Sequence, residues 1–291
     1  MFPVLREFIK TQSWLDTLGD PLQKLLMGFF PQDDPTRKQL QNFLNGVWLG
    51  HPLHPMVTDV PVGAWTSTFV LDVAASVTDT DGLETAADLT LLVGLLGAYS
   101  SAASGLTDWM DTYGEERQLG LLHGVTMLTT TALYSLSLLA RLSGARSTGV
   151  NLAHLGYLLL AGGAYLGGDE VYDVGYGVNH TAFQHGPGKF TAVMGEAEVP
   201  DGGLTKGEAG GVPVLLAKVD GRVYALDDTC VHAGCSLAGG SLSGTVVTCP
   251  CHGSQYDVRD GRVLNGPATM NEPSYEVKIV EGVVEVKQRS G

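Results

Sequence analysis

Apolar residues in the first half of the chain fall into four long runs, 60–77, 86–107, 119–140 and 150–168, joined by short polar connectors at 78–85, 108–118 and 141–149. Runs of about 18–22 residues suit a bilayer core. Connectors this short suit antiparallel neighbours, so the pattern predicts a four-span helical bundle. A buried soluble four-helix bundle competes with this reading, because the hydrophobicity of each run is moderate.

Ahead of the runs, Leu5, Phe8, Ile9, Leu15 and Leu18 recur at helical spacing, and Asp20-Pro21 reads as a stop. A second piece over 21–30 places Leu22, Leu25, Leu26 and Phe29 on one side. Asp34 then reads as an N-cap with Pro35 at the first helical position, and Gly46 as the stop. Residues 1–50 are therefore expected to be amphipathic helices that lie on a membrane surface or cover a bundle.

Beyond residue 168 the pattern changes. A Gly-, Tyr- and His-rich linker over 169–188 leads into alternation with a period of two. Strands are expected at 190–194, 212–219, 222–226, 244–248, 255–258, 275–280 and 283–287, the last two forming a hairpin around Glu281-Gly282. The fold class is α + β in separate domains: an N-terminal four-helix transmembrane bundle and a C-terminal antiparallel all-β domain. The expected division is 1–50, 51–168, 169–188 and 189–291. No internal repeat is evident.

Composition narrows the function. With 291 residues there is room for about two domains, and a formal charge of −14 excludes nucleic acid as a partner. Arg6, Glu7, Lys10, Asp16 and Asp20 interrupt the early apolar residues, so no secretory signal is read and Met1 is expected to be retained. The expected setting is integral in a bacterial-type cell membrane, with lipid as a partner.

Small residues at close-packing spacing, Gly94, Ala98, Ala102 and Gly105 in the second run and Gly163 and Gly167 in the fourth, let helices touch backbone to backbone. Ionisable groups inside such runs are costly and mark function by default. Asp72, Asp88 and His154 fall toward one membrane face; His51, His54, Asp59, Asp108 and His123 fall toward the other. His51, His54, Asp59, His123 and His154 are candidates to ligate haem b or a metal, or to relay protons from a quinone pool. The plainer alternative is that the imidazoles satisfy backbone carbonyls. His180 and His185 are expected to be solvated.

All four cysteines lie in two short stretches, Cys230-Val231-His232-Ala233-Gly234-Cys235 and Cys249-Pro250-Cys251-His252-Gly253-Ser254-Gln255-Tyr256. Two loops brought face to face would offer two thiolates and two imidazoles, the donor set of a [2Fe-2S] centre with mixed ligation. Tetrahedral zinc takes the same donors, though a finger draws its two cysteines from one knuckle.

Cys-x-His, 16 residues, then Cys-x-x-His, closely resembles the Rieske signature, and the likeness covers about residues 186–291. The resemblance implies a [2Fe-2S] cluster held by Cys230, His232, Cys249 and His252. It implies a disulfide between Cys235 and Cys251, as in the high-potential subgroup of quinol-oxidising complexes. Ser254 and Tyr256 match the hydroxyls that donate to cluster sulfur in that subgroup, and Gly266-Pro267-Ala268 matches the loop that covers the cluster from a third side. The ligand imidazoles would present their outer nitrogens to solvent or a partner. Ala233 departs from the bulky aliphatic residue usual at that tip, and such subunits have a single anchor helix. The segment His51-Pro52-Leu53-His54-Pro55, with Asp59, Pro61 and Trp65, resembles the opening of a family of small four-helix membrane domains of unestablished function, over roughly 43–170.

The expected function is single-electron transfer between a membrane donor, quinol or haem, and a partner such as a cytochrome. A ferredoxin-like component of an oxygenase system and a non-catalytic redox sensor are the alternatives. Arg37, Lys38, Arg117 and Lys189 against Arg141 and Arg146 lean the β domain toward the cytoplasm, while a disulfide leans the other way.

Overall fold

The computed structural model describes residues 3–31 and 33–289, so the expectation for Met1 lies outside the described residues, as does the side chain of Leu5. The chain forms two compact units, each drawn from two stretches: Met1–Pro31 with Leu53–Tyr176, and Gln32–Pro52 with Gly177–Gly291.

Seven α-helices occur among the described residues rather than a four-helix set: α1 (Pro3–Lys10), α2 (Ser13–Phe29), α3 (Pro35–Asn45), α4 (Leu53–Val77), α5 (Leu83–Trp109), α6 (Gly114–Leu142) and α7 (Arg146–Tyr172). Helix α2 runs through Pro21 instead of stopping there. A proline inside a helix costs about 3 kcal/mol. Here Leu15 before the proline and Leu22 and Leu26 after it pack with Trp109, Leu119, Leu121 and Leu166, Asp16 and Asp20 both bind Arg117, and Gln23 donates to the Trp109 and Thr112 carbonyls, so tertiary contacts on both sides of the proline hold the helix together.

Helices α4, α5 and α6 are long and apolar enough to cross a membrane, with mean hydropathy of 1.3, 1.5 and 1.2. Helix α7 is not among them, because Asn151, His154 and its glycines and tyrosines dilute the apolar run. The expected four spans therefore reduce to three candidate spans within a helical region.

The helical unit is built on a duplication that the sequence conceals. Helices α4 and α5 form one hairpin, and α6 and α7 form another. Arg141 lies 69 residues after Asp72, and the two side chains pair. The same step carries Trp65 to Tyr134, whose rings stack at 4.0 Å, and His54 to His123, whose rings lie 6.3 Å apart. Equivalent positions of two hairpins thus meet across the bundle, as a pseudo-twofold relation requires. Gly94, Ser101 and Gly105 on α5 are spaced like Gly156, Gly163 and Gly167 on α7, and Gly94 and Gly105 lie under Trp65 and His54 as Gly156 and Gly167 lie under Tyr134 and His123. A Cβ at Gly94 would sit 2.2 Å from Trp65, and one at Gly156 would sit 2.9 Å from Tyr134.

At the far end, Arg141 is enclosed with Asp72. Its Nη1 donates to Asp72 at 2.9 Å and to Asp88 at 2.8 Å, and Arg146 joins Asp88 at 3.0 Å. Two acids and two guanidinium groups neutralise one another, which is how charge is tolerated inside such a bundle.

Every strand pair in the three sheets of the β unit is antiparallel. Its strands are β1 (Thr191–Gly195), β2 (Leu204–Ala209), β3 (Val212–Val219), β4 (Arg222–Asp227), β5 (Ser241–Ser243), β6 (Val246–Thr248), β7 (Gln255–Asp257), β8 (Val263–Asn265), β9 (Tyr275–Val280) and β10 (Val283–Gln288). They form the sheets β1-β10-β9, β2-β3-β4 and β5-β6-β7-β8. Strand β3 is central: Val214 and Leu216 enter one core with Val284 and Val286, while Leu215 and Ala217 enter another with Cys230, Cys249 and Tyr256. Strand β2, absent from the sequence expectation, lacks β-branched density. Its Gly207 is needed because a Cβ there would sit 2.3 Å from Val193.

Helix α3 belongs to this β unit. Asp34 accepts from the N–H groups of Thr36 and Arg37 at 3.0 and 3.1 Å, and Gly46 closes the helix at φ 91°. Gln41 and Asn45 are fully buried, and Asn42 accepts the Gly266 N–H at 3.0 Å.

Candidate metal centre

Two loops of matched construction stand side by side. In the first, the Cys230 N–H donates to the Cys235 carbonyl and the Gly234 N–H returns to the Cys230 carbonyl, both at 2.8 Å. In the second, the Cys249 N–H donates to the Ser254 carbonyl at 2.8 Å, and the Gly253 N–H returns to the Cys249 carbonyl at 3.2 Å. Gly234 and Gly253 hold φ of 73° and 76°, which a side chain would resist. A disulfide between Cys235 and Cys251 joins the loops.

The loops bring all four sequence-predicted donors together. Cys230 and Cys249 are free thiols, 1% and 2% exposed. The rings of His232 and His252 lie 4.8 Å apart and nearly perpendicular. His232 Nδ1 is buried with no hydrogen-bond partner among the described residues, and His252 Nδ1 is buried as well. Burial, with His252 and His180 nearby, pushes the His232 imidazole down to about 3, so it is neutral with a lone pair to give. The hydrogen bond from Cys230, with the N–H groups of Cys251 and His252, lowers the Cys249 thiol. A buried, neutral imidazole nitrogen with nothing to bond, beside two buried sulfurs, fits a metal centre better than it fits a satisfied core.

Around the donors, the Tyr256 hydroxyl lies 3.2 Å from Cys230 Sγ. Ser254 Oγ accepts the Ala268 N–H at 3.0 Å, which leaves its own proton for another acceptor. Pro267 is buried and lines a small cleft beside His232 with Pro52, Val178 and Met270. Sequence reasoning missed three carboxylates. Asp228 ties the first loop to its own continuation by accepting from Ser236 at 2.7 Å and the Ala238 N–H at 2.8 Å. Glu272, 2% exposed, accepts the Val231 N–H at 2.7 Å, and burial raises its carboxyl well above the usual range. Asp227 accepts from Tyr275. An acid before the first Cys-His loop was the available signal for Asp228; nothing local marks Glu272.

The membrane histidines separate. His54 and His123 come together in the helical unit. His154 packs against Phe69 at 5.0 Å, and its Nε2 is buried without a partner among the described residues. Asp59 is exposed. His51 falls in the β unit, exposed, with Nδ1 3.0 Å from the Pro52 carbonyl. His180 and His185 are exposed.

A donor set divided evenly between two loops, with its sulfurs sealed and its imidazoles partly open, defines an electron-transfer domain of the iron–sulfur class. Within that class the chain belongs to the Rieske [2Fe-2S] domain family, which matches residues 189–279. Residues 50–180 match a second family, described as a predicted membrane protein (DUF2231). The ferredoxin component of a naphthalene 1,2-dioxygenase system from Pseudomonas aeruginosa is 37% identical over 82 residues, 28% of this chain and 79% of that protein. Iron–sulfur subunit 2 of the cytochrome b6-f complex from the Cyanophora paradoxa cyanelle is 40% identical over 87 residues, 29% of this chain and 35% of that subunit. A solved complex of reduced oxygenase and oxidized ferredoxin in carbazole 1,9a-dioxygenase aligns at 30% identity with a TM-score of 0.33, covering 35% of this chain and 97% of that one. The protein is thus a Rieske electron-transfer protein with a predicted membrane domain.

Proposed function

We propose that Cys230, His232, Cys249 and His252 hold a [2Fe-2S] cluster and that the β unit passes single electrons between a membrane donor, quinol or haem, and a separate redox partner. The observation that carries this reading is the buried, unbonded His232 Nδ1 beside two buried thiols. Bound there, the cluster supplies a one-electron couple. Cys230 and Cys249 give the sulfur side. His232 and His252, with Nδ1 turned inward, keep Nε2 for a proton that travels with the electron. Tyr256 directs its hydroxyl at Cys230 sulfur, which favours the extra negative charge of the reduced state. Pro267 and Ala268 exclude water from the third side.

Detergent-purified protein should show a Rieske signal in low-temperature EPR, lost in Cys249→Ser while the fold is retained. Zinc in the site with no such signal would overturn the assignment. Reduction by excess quinol tests the donor; a cluster that stays oxidised removes quinol from the reading.

The dioxygenase ferredoxin relatives favour a second reading, in which the β unit feeds electrons to an oxygenase. That role calls for a low-potential cluster, whereas Tyr256, Ser254 and the Cys235–Cys251 bridge support a high potential. A redox titration separates the two. Reporter fusions decide which membrane face carries the β unit.

A further inference from the structure

Of the three layers where α4 meets α6, two are closed by their own side chains and one is not. Trp65 stacks on Tyr134, and Asp72 pairs with Arg141. His54 and His123 face each other without bonding. His54 Nδ1 lies 2.9 Å from the Ser101 carbonyl, and His123 Nδ1 lies 2.9 Å from the Gly163 carbonyl. A carbonyl only accepts, so each Nδ1 carries the proton and each Nε2 carries a lone pair. Neither Nε2 has a hydrogen bond among the described residues. With both Nδ1 protons given to carbonyls, the two Nε2 acceptors have no proton to share, so the rings do not bond each other. Each half of the duplication therefore delivers one acceptor nitrogen to the same layer.

The surroundings are built for those rings. A Cβ at Gly105 would sit 2.8 Å from His54, and one at Gly167 would sit 3.1 Å from His123. Fixing an imidazole through Nδ1–H to a backbone carbonyl is what orients a metal-ligating histidine and raises the basicity of its other nitrogen. The ring centroids, 6.3 Å apart, match two imidazoles on opposite sides of one metal, given a metal–nitrogen bond of about 2 Å on each side. No third acidic, cysteine or histidine donor joins them among the described residues.

We infer that His54 and His123 form a bis-imidazole site that binds one transition-metal centre through both Nε2 atoms, its remaining donors coming from a porphyrin or from solvent. The site lies about 27 Å along the helices from the Asp72–Arg141 layer, by the rise of 18 residues. That is close to the thickness of a hydrocarbon core, which puts the two polar layers near opposite boundaries. The inference does not depend on the iron–sulfur assignment, and the EPR test of that assignment is unaffected by its failure.

The experiment uses the full-length, cluster-loaded chain in detergent, titrated separately with haemin and with Co2+. Expected is a six-coordinate low-spin haem spectrum, which identifies a porphyrin iron, or Co2+ d–d absorption alone, which identifies a solvent-completed ion. Binding should weaken at least about tenfold in both His54→Asn and His123→Asn and persist in His154→Asn. Asparagine keeps an amide N–H for the Ser101 and Gly163 carbonyls, so the bundle should survive; glutamine replaces it at either position that does not fold. Failure of both probes to bind, or binding that survives both substitutions, overturns the site.

Discussion

The amide of Asn42 donates to Asn265 Oδ1 at 2.8 Å while its oxygen accepts the Gly266 N–H, so one side chain holds helix α3 against the loop that carries Pro267. Asn42→Ala removes both bonds and should cost about 1–2 kcal/mol. Asn42→Asp keeps the acceptor for Gly266 but turns its second oxygen on Asn265 Oδ1, so it should cost at least as much. Chemical unfolding followed on the β unit reads the difference; equal stability of all three proteins would mean that α3 does not brace the loop.

Tyr256 offers a test at the sulfur itself. Tyr256→Phe keeps the ring in its core and removes the hydroxyl 3.2 Å from Cys230 Sγ. Loss of a charge-assisted bond of about 1–1.5 kcal/mol should lower the midpoint potential by on the order of 50 mV. A potentiometric titration followed by EPR measures it. An unchanged potential would assign Tyr256 to packing alone.

The two Cys-His loops were legible because ligand spacing is a one-dimensional property: Cys230, His232, Cys249 and His252 are fixed by two short segments whose turns are set by Gly234 and Gly253. The placement of α3 was not. Residues 1–50 read as amphipathic helices on a membrane surface or over a bundle, and only the fold shows that α3 joins the β unit with Gln41 and Asn45 buried. The duplication escaped for another reason. Two of its three paired positions are complementary rather than alike, acid opposite base at Asp72 and Arg141 and indole opposite phenol at Trp65 and Tyr134, and only His54 and His123 repeat the residue, so the likeness between the halves is sparse in the sequence. Apolar runs revealed the long helices but hid their ends, because α4 continues through Pro61 and begins at Leu53.

The Asp72–Arg141 pair makes that complementarity testable. The side chains are 0% and 1% exposed, and removing one partner leaves the other buried with only its second neighbour, Asp88 for Arg141 or Arg146 for Asp72, at a cost of up to about 3–5 kcal/mol. Arg141→Ala and Asp72→Ala should each lower the melting temperature of the detergent-solubilised chain strongly. Asp72→Asn with Arg141→Gln should lose much less than the sum of the two alanine variants. Additive losses would show that the two groups act separately.

Asp227 sets a pH dependence whose sign follows from its surroundings. Burial pushes its carboxyl up to about 6 against the Tyr275 hydroxyl, which pulls it down, and the Asp228 charge adds to the rise. In the unfolded chain an aspartate titrates near 3.9. Between about pH 4 and pH 6 the folded state therefore binds the extra proton, so stability is highest below this window and falls as pH rises through it. A separation of about two pH units corresponds to on the order of 3 kcal/mol, with no further change from this group above pH 6. Other groups titrate in the same range, so the informative quantity is the difference between wild type and Asp227→Asn. Asparagine accepts from Tyr275 and carries no charge at any pH; its stability should exceed that of wild type by more at pH 7 than at pH 4. If the difference between the two proteins were the same at both pH values, Asp227 would be no more costly to ionise in the fold than in the open chain.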